Sequence, residues 1–492
     1  MRNKYSSATI GWLVYVVLYA SIVLLQAFYT RQSMGFISHE ELAESVRNVW
    51  WLHNRTIYDG ISSNVGWYAL VQLAYEVFGF SLFTGKILRL ILFAIGLLCS
   101  FDLLLKYLGK KWAWLPILLT GLSPTLLYFT TLQTSFGVDV PYFVIVVWLL
   151  VKFSQTGKLW VAALLGFVIC LASLSYPSFL LYLPALGILF VMCLRQHKQK
   201  LGRSILFVLG LVLPLLTLLW YLADPSKLVF DPQVRSGIFR GGGTFPNSWN
   251  EVVANERAGL LVLYNDLFIL PQSYYFNAAR SEFSHLATRL SVLSILVLAG
   301  REFILLLLKK KYAAVLMPAL SFLSLLIGSL LASLSSWFPG LRRATIVLVA
   351  FYLLVIWLLK LLGKKKLGRV SSLVLVAASL VILTHHLKVM PASYAQLSKP
   401  NANSEVACFT ISGATPTASL ARMRTHLQAN SRLDLSSIPN ASECRLSEVY
   451  AAVTADCYWN NLNCPEILWY DKDQNMPIEL ETELWDSYYF AH

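Results

Sequence analysis

Long apolar runs separated by short basic clusters are the feature that most constrains what this chain folds into. The runs recur between residues 9 and 385, and each has about the 20 residues that a helix needs to cross a bilayer. Charged residues make up 13% of the chain, whereas soluble domains contain about 25%. Because a spanning segment must satisfy its own backbone hydrogen bonds in lipid, the runs predict transmembrane helices.

An all-α polytopic membrane protein with about 11 transmembrane helices is therefore the predicted fold class. The predicted spans are 9–29, 86–105, 112–129, 138–153, 159–176, 178–194, 204–222, 288–308, 313–332, 343–362 and 370–386. The transmembrane domain covers residues 1–386 and includes two long outside loops, at 30–85 and 223–287. The first span lacks a small-residue cleavage site, so we predict a retained helix rather than a removed signal peptide.

The basic residues predict an orientation in the membrane, not a nucleic-acid partner. The net charge of +14 comes from Lys/Arg clusters between the apolar runs, as the positive-inside rule describes. The clusters are Arg2/Lys4, Lys106/Lys110/Lys111, Lys152/Lys158, Arg195/Lys198/Lys200/Arg203, Lys309/Lys310/Lys311 and Lys364/Lys365/Lys366/Arg369. They predict an integral protein of the inner or plasma membrane with a cytoplasmic N-terminus. An odd number of spans then places the C-terminus outside.

The C-terminal tail, residues 387–492, differs from the rest and is predicted to be a small extracytoplasmic domain. It contains 12 acidic and 7 basic residues, against the basic excess elsewhere. Four cysteines fall in it: Cys408, Cys444, Cys457 and Cys464. In an oxidising compartment they predict two disulfides, with three possible pairings. A zinc site is less favoured, because six residues separate the last two cysteines rather than two to four.

The first outside loop contains a predicted amphipathic helix at residues 39–53. Its apolar positions recur every three or four residues, at Leu42, Val46, Val49 and Trp50. Ser38 is a candidate N-cap, and Glu41 follows three residues later as in a capping box. Glu40 and Glu41 therefore have two interpretations: they favour the positive end of a helix dipole, or they are functional carboxylates beside the bilayer.

Farther along this loop, Tyr58-Asp59-Gly60 predicts a turn. The stretch from Trp67 to Phe80 is amphipathic but too short to span, so we expect it to lie along the membrane surface. Near the end of the last span, His385-His386 lacks acidic or Cys companions in the sequence, and we interpret it as a pair at the membrane interface. Asp102, inside span two, is expected to pair with Lys106, one helical turn away.

Short motifs follow one another over residues 9–385 in a fixed order. They are an acidic pair after span one, Tyr58-Asp59-Gly60, Phe78-Gly79-Phe80-Ser81, Ser123-Pro124 with Tyr128-Phe129, Ser175-Tyr176-Pro177, and Pro339-Gly340-Leu341-Arg342-Arg343. In this order the set resembles the GT-C superfamily of polytopic glycosyltransferases. The branch it resembles most contains protein O-mannosyltransferases and lipid A aminoarabinose transferases.

The resemblance implies a membrane glycosyltransferase of the cell envelope. Such an enzyme moves a sugar from a polyprenyl-phosphate donor to a hydroxyl group of a lipid, glycan or protein acceptor on the extracytoplasmic face. Membrane lipids are the other expected partners. No cofactor is predicted, and a divalent cation held by carboxylates such as Glu40 and Asp139 stays open as an alternative.

The implied reaction needs a base that takes the proton of the acceptor hydroxyl. Glu40 is the preferred base, Glu41 replaces it if the register shifts by one, and His39 is a partner or a base itself. The family usually has Asp-Glu where His39-Glu40 stands. This departure supports an alternative, a catalytically inactive assembly or binding subunit. A transporter for lipid-linked sugars is a further alternative, although such proteins have broken spans and paired halves.

The donor phosphate needs cations, and several stand at predicted outside ends of spans, where the positive-inside rule disfavours them. The candidates are Lys86, Arg89, Arg342 and Arg343, with Arg240 in the second outside loop. The alternative is snorkelling to lipid headgroups, which we favour for Arg89. The sugar and acceptor candidates are Asp139, Tyr58, Asp59 and Tyr274. Arg240 precedes three glycines and belongs either to a mobile lid or to a flexible connector.

Overall fold

Long helices dominate the structure. A computed structural model describes residues 2–34, 37–55, 64–135, 137–195, 197, 200–222, 248, 250, 253, 282–309, 317–326, 345–397, 407–408, 416–430, 432–434, 446–462, 468–471 and 476–478. In this part of the chain the strands have two to four residues each. The predicted class, an all-α polytopic membrane protein, agrees with this architecture.

The helices of the membrane domain follow the apolar runs. They are α1 (Arg2–Ser33), α2 (His39–Leu42), α3 (Asn48–His53), α4 (Val65–Phe78), α5 (Thr84–Leu108), α6 (Lys110–Gly121), α7 (Pro124–Thr131), α8 (Asp139–Thr156), α9 (Leu159–Ser175), α10 (Leu183–Arg195), α11 (Lys200–Tyr221), α12 (Glu282–Leu308), α13 (Met317–Leu326), α14 (Thr345–Gly363) and α15 (Arg369–Leu397). A π-helical segment, Ala43–Arg47, joins α2 to α3, and a 3₁₀ segment, Pro177–Tyr182, precedes α10.

Six of these helices are long and apolar enough to cross a membrane, as far as the described residues go. They lie in α1, α5, α8, α11, α12 and α15, and the number becomes seven if α6 and α7 form one broken span. The helices α9 and α10 have 17 and 13 residues, and span 313–332 is described over Met317–Leu326. The predicted number of about 11 spans therefore stays a prediction.

Two predicted spans are not continuous helices. Span 112–129 is broken between α6 and α7, which meet at 54°. Pro124 is the first residue of α7, a position that suits proline because its missing N–H needs no partner there. Span 178–194 begins as the 3₁₀ segment after Pro177, and its α-helix begins at Leu183. Proline disfavours a helical conformation in the residue before it, so Tyr176 is extended before Pro177 and α9 ends there, ahead of α10.

Small residues allow the spans to pack closely. A side chain at Gly166 of α9 would collide with the backbone carbonyl of Phe207 in α11. A side chain at Gly96 of α5 would come within 2.9 Å of Pro141 in α8. Packing through small residues is usual in membranes, where lipid gives helices little hydrophobic reason to associate. The Gly96 contact brings α5 beside α8, the helices that carry Lys86, Arg89 and Asp139 of the candidate site.

The two ends of this bundle differ in charge. At one end Asp102 forms an ion pair of 2.8 Å with Lys106, as predicted, and also accepts from Trp148 Nε1 at 2.7 Å. Lys152 lies 3.5 Å from the same carboxylate, and Lys360 donates to the carbonyl of Tyr107. The basic clusters thus collect at the end where α5 finishes. The opposite end, where α1 finishes and α5 and α8 begin, carries the candidate site.

The tail forms a small unit of helices and short strands. It contains β2 (Ala407–Cys408), α16 (Pro416–Asn430), β3 (Arg432–Asp434), α17 (Leu446–Trp459), β4 (Leu468–Asp471) and β5 (Met476–Ile478). The strand β4 pairs in parallel with β3 and antiparallel with β5. The strand β2 pairs antiparallel with β1 (Ile37–Ser38), directly before α2. The tail is therefore joined by backbone hydrogen bonds to the first loop.

Candidate functional site

The predicted helix at residues 39–53 forms, but it is not a regular α-helix. Its middle, Ala43–Arg47, is a π-helical turn between α2 and α3. Such turns add a residue to the helix, change the direction of the following side chains and occur often at functional sites. The apolar face packs as the spacing predicts, because Leu42, Val46 and Val49 are fully buried. The first turn presents Glu41 to the interior rather than to solvent.

Glu41 forms a buried ion pair with Lys86. Lys86 Nζ lies 3.2 Å from Glu41 Oε1, and both side chains are 1% exposed. The lysine also donates to the carbonyl of Ser33 at 2.7 Å, at the end of α1. Charges out of water must be paired and hydrogen-bonded to be tolerated. A candidate base and a candidate phosphate-binding cation, separated by 45 positions in sequence, therefore meet at one point.

A loop between α7 and α8, described over residues 132–135 and 137–138, closes over this pair. The backbone N–H of Gln133 donates to Glu41 Oε1 at 3.2 Å, and its carbonyl accepts from the Ser45 hydroxyl. Ser135 donates to Glu44 Oε2 through both its N–H and its hydroxyl, each at 2.7 Å. Two carboxylates one helical turn apart thus hold alternate residues of the loop, which fixes its position against the first-loop helix.

A glycine at the beginning of α5 makes this approach possible. A Cβ placed on Gly85 would lie 2.6 Å from Gln133 Cβ and 2.7 Å from Ser45 Oγ. Neither distance is compatible with an ordinary side-chain contact. The absence of a side chain at Gly85 therefore allows the loop, the π-helical segment and α5 to meet beside Lys86.

Arg89 lies one helical turn after Lys86 and is also buried. It is 3% exposed, and its Nε and Nη2 donate to the carbonyl of Phe129 at 3.2 and 2.6 Å. Asp139, fully buried at the first residue of α8, interacts electrostatically with this guanidinium. The favoured interpretation that Arg89 snorkels to headgroups is therefore wrong. The Arg89 side chain turns inward because the carbonyl of Phe129 in α7 and the carboxylate of Asp139 at the beginning of α8 compensate its buried charge.

An apolar groove begins at Arg89 and follows α5. It encloses about 900 Å³, its open mouth included, and α5, α6, α7, α8 and α14 line it. The α5 residues on its wall recur every three or four positions from Arg89 to Leu104, a distance of roughly 22 Å along the helix. Its wall includes Phe93, Leu97, Pro141, Leu348 and Leu353. The groove therefore offers a cation at one end and hydrocarbon along its length.

The tail contacts the first loop through an aromatic cluster, which we call the tail–loop interface. The ring of Trp459 in α17 lies 4.8 Å from Tyr75 and 5.1 Å from His53, and its Nε1 donates to Glu76 at 3.1 Å. Asn460 accepts from the N–H of Phe80 at 2.9 Å and donates to its carbonyl at 3.3 Å. The helix carrying Glu41 is thus held from the tail side by α17 as well as by β2.

Burial alters the titration of several groups near this interface. It raises the pKa of Tyr68 and of Tyr75 well above the usual phenol range. Burial also lowers the pKa of His53, and the nearby Glu76 carboxylate offsets part of this effect. Neither tyrosine loses its proton near neutral pH. Both phenols therefore stay neutral: Tyr75 donates to the carbonyl of Ser45 at 2.7 Å, and the hydroxyl of Tyr68 accepts from the amide of Asn48 at 3.1 Å.

Several sequence predictions fall outside the described residues and stay predictions. The side chains of His39 and Glu40 are among them, although their backbones belong to α2. The others are Tyr58, Asp59, Arg240, Tyr274, Arg342, Arg343, Cys444 and Cys464, and the side chain of Cys408. Cys457 is disulfide-bonded, and which cysteine pairs with it remains open. Among the described side chains, no group of three His, Cys, Asp or Glu residues is arranged to hold a metal ion.

The side chains of His385 and His386, predicted as a pair at the membrane interface, are packed against protein in the structure. The two side chains are 4% and 5% exposed and lie inside α15, which continues to Leu397 instead of ending near residue 386. The helix continues beyond the apolar run that predicted span 370–386, since helix formation does not require the later residues to be apolar. The surface location predicted for α4 agrees with its exposed apolar residues, Leu73, Val77 and Phe78.

Sequence reasoning missed three residues of the site. Glu44 stands three positions after Glu41, so helical spacing alone would have placed both on one face. Gln133 and Ser135 contact this face from about 90 positions away, and no local pattern marks them.

No protein-family model matches the sequence, and no curated protein is significantly similar to it. The structure is similar to two solved chains. One is ArnT from Cupriavidus metallidurans bound to undecaprenyl phosphate, with 10% identity, a TM-score of 0.46, and coverage of 92% of this chain and 89% of that one. The other is the same protein in the apo state, with 15% identity, a TM-score of 0.32, and coverage of 74% and 78%.

Identities and TM-scores of this size assign neither a family nor an activity to this chain.

Proposed function

We propose that this chain is a membrane glycosyltransferase that takes a sugar from a polyprenyl-phosphate donor and transfers it to a hydroxyl-bearing lipid, glycan or protein. One observation carries the proposal. The buried Glu41–Lys86 pair lies one helical turn from Arg89, where an apolar groove begins. A carboxylate, two cations and a hydrocarbon-lined groove are the three parts that this reaction needs in one place.

The cations serve the leaving group. In the proposed complex Lys86 and Arg89 bind the donor phosphate, and the prenyl chain occupies the groove along α5. Negative charge grows on the phosphate oxygen as its bond to the anomeric carbon breaks. Positive groups fixed beforehand in a site shielded from water stabilise that charge more than they stabilise the donor. Asp139 beside Arg89 keeps the guanidinium oriented.

The carboxylate serves the acceptor. When the phosphate takes over Lys86, Glu41 is released from its ion pair and accepts the proton of the attacking hydroxyl. The acceptor oxygen forms a bond to the anomeric carbon, the bond from that carbon to the phosphate oxygen breaks, and polyprenyl phosphate leaves with the electron pair. We assign the base to Glu41, while Glu40 and His39 are the alternatives that single substitutions separate. We place the reaction at the extracytoplasmic face, from the basic clusters at the other end.

Single substitutions in the native host test this function. Glu41→Gln, Glu40→Gln and His39→Ala replace the wild-type gene, and mass spectrometry compares envelope lipids, glycans and glycoproteins. We expect Glu41→Gln to remove one sugar-bearing species and to let its polyprenyl-phosphate-sugar donor accumulate. Lys106→Met, at the opposite end of α5, is the matched control and should change neither. If all three site variants keep the wild-type profile, the catalytic assignment is wrong.

A catalytically inactive binding subunit is the second candidate. The observation that favours it is that the Glu41 carboxylate is already occupied by Lys86 and by the N–H of Gln133. In that case the pair is a structural lock, and the groove still binds a prenyl lipid. The two functions separate in one comparison: Lys86→Met abolishes binding of undecaprenyl phosphate in both, but Glu41→Gln changes envelope chemistry only if the chain is an enzyme.

A further inference from the structure

Two neighbouring side chains in the loop between α7 and α8 are buried, and their polar atoms have no hydrogen-bond partner in the described part of the chain. Gln133 is 0% exposed and Thr134 is 1% exposed. The amide nitrogen and oxygen of Gln133 and the hydroxyl of Thr134 have no hydrogen-bond partner among the described residues. Buried polar groups in folded proteins are almost always paired, so such groups in one short segment indicate a polar ligand.

The loop holds these groups in fixed positions. The backbone of Gln133 is tied on both sides, by Glu41 and by Ser45, and Gly85 packs against its Cβ. Glu44 holds Ser135 by two hydrogen bonds. A side chain on a backbone fixed in this way is preorganised, so binding costs little ordering of the protein. The loop also adjoins the Glu41–Lys86 pair, where the proposed function places the reacting atoms.

We infer that Gln133 and Thr134 bind the hydroxyl groups of a neutral sugar on the donor lipid, an inference that rests on the proposed glycosyltransferase function. The primary amide of Gln133 and the hydroxyl of Thr134 can each donate and accept a hydrogen bond. Side by side, they match two vicinal hydroxyls of a pyranose. Neither carries a charge, and the nearby charges have other roles: in the proposed complex Lys86 binds the donor phosphate and Glu41 accepts the acceptor proton, while Glu44 holds Ser135. An amino sugar would require a carboxylate in this place, and a uronic acid would require a cation.

Binding of three lipids to the full chain in nanodiscs tests this assignment. The lipids are undecaprenyl phosphate, its mannosyl derivative, and its 4-amino-4-deoxyarabinosyl derivative. The wild type should bind the mannosyl lipid at least about tenfold more tightly than the sugar-free lipid, and should not prefer the amino sugar. Gln133→Leu and Thr134→Val keep the side-chain volume and should each remove most of the advantage of the mannosyl lipid.

Gln26→Leu is the matched control. Gln26 is also fully buried and its Oε1 also has no partner among the described residues, but its amide nitrogen donates to the carbonyl of Leu127 in α7 at 3.1 Å. Its loss should change the stability of the protein without changing the ratio of affinities for the lipids with and without sugar. A folding defect in either loop variant would lower the affinity for all three lipids equally. It would leave the ratio of the affinities with and without sugar unchanged.

The outcomes separate the two proposals. If the wild type binds undecaprenyl phosphate, Lys86→Met abolishes that binding, and the loop variants leave the affinity ratio unchanged, the sugar assignment is wrong and the proposed function stands. If the amino sugar lipid binds best, the neutral-sugar assignment is wrong. If the wild type binds none of the three lipids, the proposed function fails and the assignment fails with it.

Discussion

Glu41 and Lys86 are both almost fully buried, so their pairing differs in energy from that of ion pairs in water. Taking two charges out of water costs several kcal/mol per ion, and their attraction offsets this only when both are present and hydrogen-bonded. Here the lysine has Ser33 as a further acceptor and the carboxylate has the N–H of Gln133 as a further donor. Each partner is therefore more costly to lose alone than together with the other.

Lys86→Met should lower the free energy of unfolding by about 3–5 kcal/mol, because it leaves the Glu41 charge buried without its partner. The double variant Glu41→Gln with Lys86→Met should recover most of this loss. Lys106→Met is the control, because it removes a half-exposed pair with Asp102 and should cost at most about 1 kcal/mol. Thermal unfolding in detergent measures all three. Equal losses for the single and double variants would show that the pair is not coupled.

Gly85→Ala should destabilise the protein by about 1–3 kcal/mol, because its Cβ forces the Gln133 loop or Ser45 away. Gly300→Ala in α12 is the control: its Cβ meets nothing within 4 Å, and alanine favours helix by about 1 kcal/mol. Thermal unfolding and the binding of undecaprenyl phosphate are measured for both. If Gly85→Ala behaves like Gly300→Ala, the close approach of the loop is not needed.

At the scale of elements, contacts from the tail stabilise the position of the helix that carries Glu41. The strand β2 pairs with β1 immediately before α2, and α17 packs against the first loop through Trp459 and Asn460. A short helix with a π-helical turn has little stability of its own, because its stability comes from tertiary packing. The position of Glu41 therefore depends on a unit more than 360 residues later in the chain.

Asn460→Ala should weaken the contact between the tail and the first loop. The variant loses both hydrogen bonds to the backbone of Phe80, which together contribute about 1–3 kcal/mol. We expect faster proteolysis of the first loop and slower transfer, with little change in the affinity for undecaprenyl phosphate. Thr425→Ala is the control, because its exposed hydroxyl bonds to its own helix. Unchanged proteolysis in Asn460→Ala would show that the tail does not hold the loop.

The tail–loop interface should weaken in acid through His53. Burial lowers the pKa of this imidazole in the folded state, so the neutral ring is the form that the interface favours. Its contribution is complete above the unfolded pKa of about 6.5 and is lost as the pH falls through the lower folded value. His53→Gln should reduce the drop in the unfolding midpoint between pH 7.5 and pH 5. An identical drop in both proteins would exclude His53 as its source.

At the scale of the whole molecule, local patterns predict much of the fold. Apolar runs of span length and the three-to-four spacing of residues 39–53 are short-range signals, and the helices appear where these signals are. The Asp102–Lys106 pair follows from one helical turn. The direction of Arg89, the π-helical turn and the contact of Gln133 with Glu41 do not follow, because they are decided by the packing of segments up to 92 positions apart.

The proposed function depends on the groove beginning at Arg89, which would hold a prenyl chain whose phosphate contacts Lys86. The most direct measurement is photolabelling in nanodiscs with a polyprenyl phosphate that carries a diazirine in its chain, followed by peptide mass spectrometry. We expect labels on Phe93, Leu97 and Leu353 that are removed by excess undecaprenyl phosphate and are absent in Lys86→Met. Labels spread over exposed positions such as Leu98 and Leu290, and insensitive to competition, would contradict it.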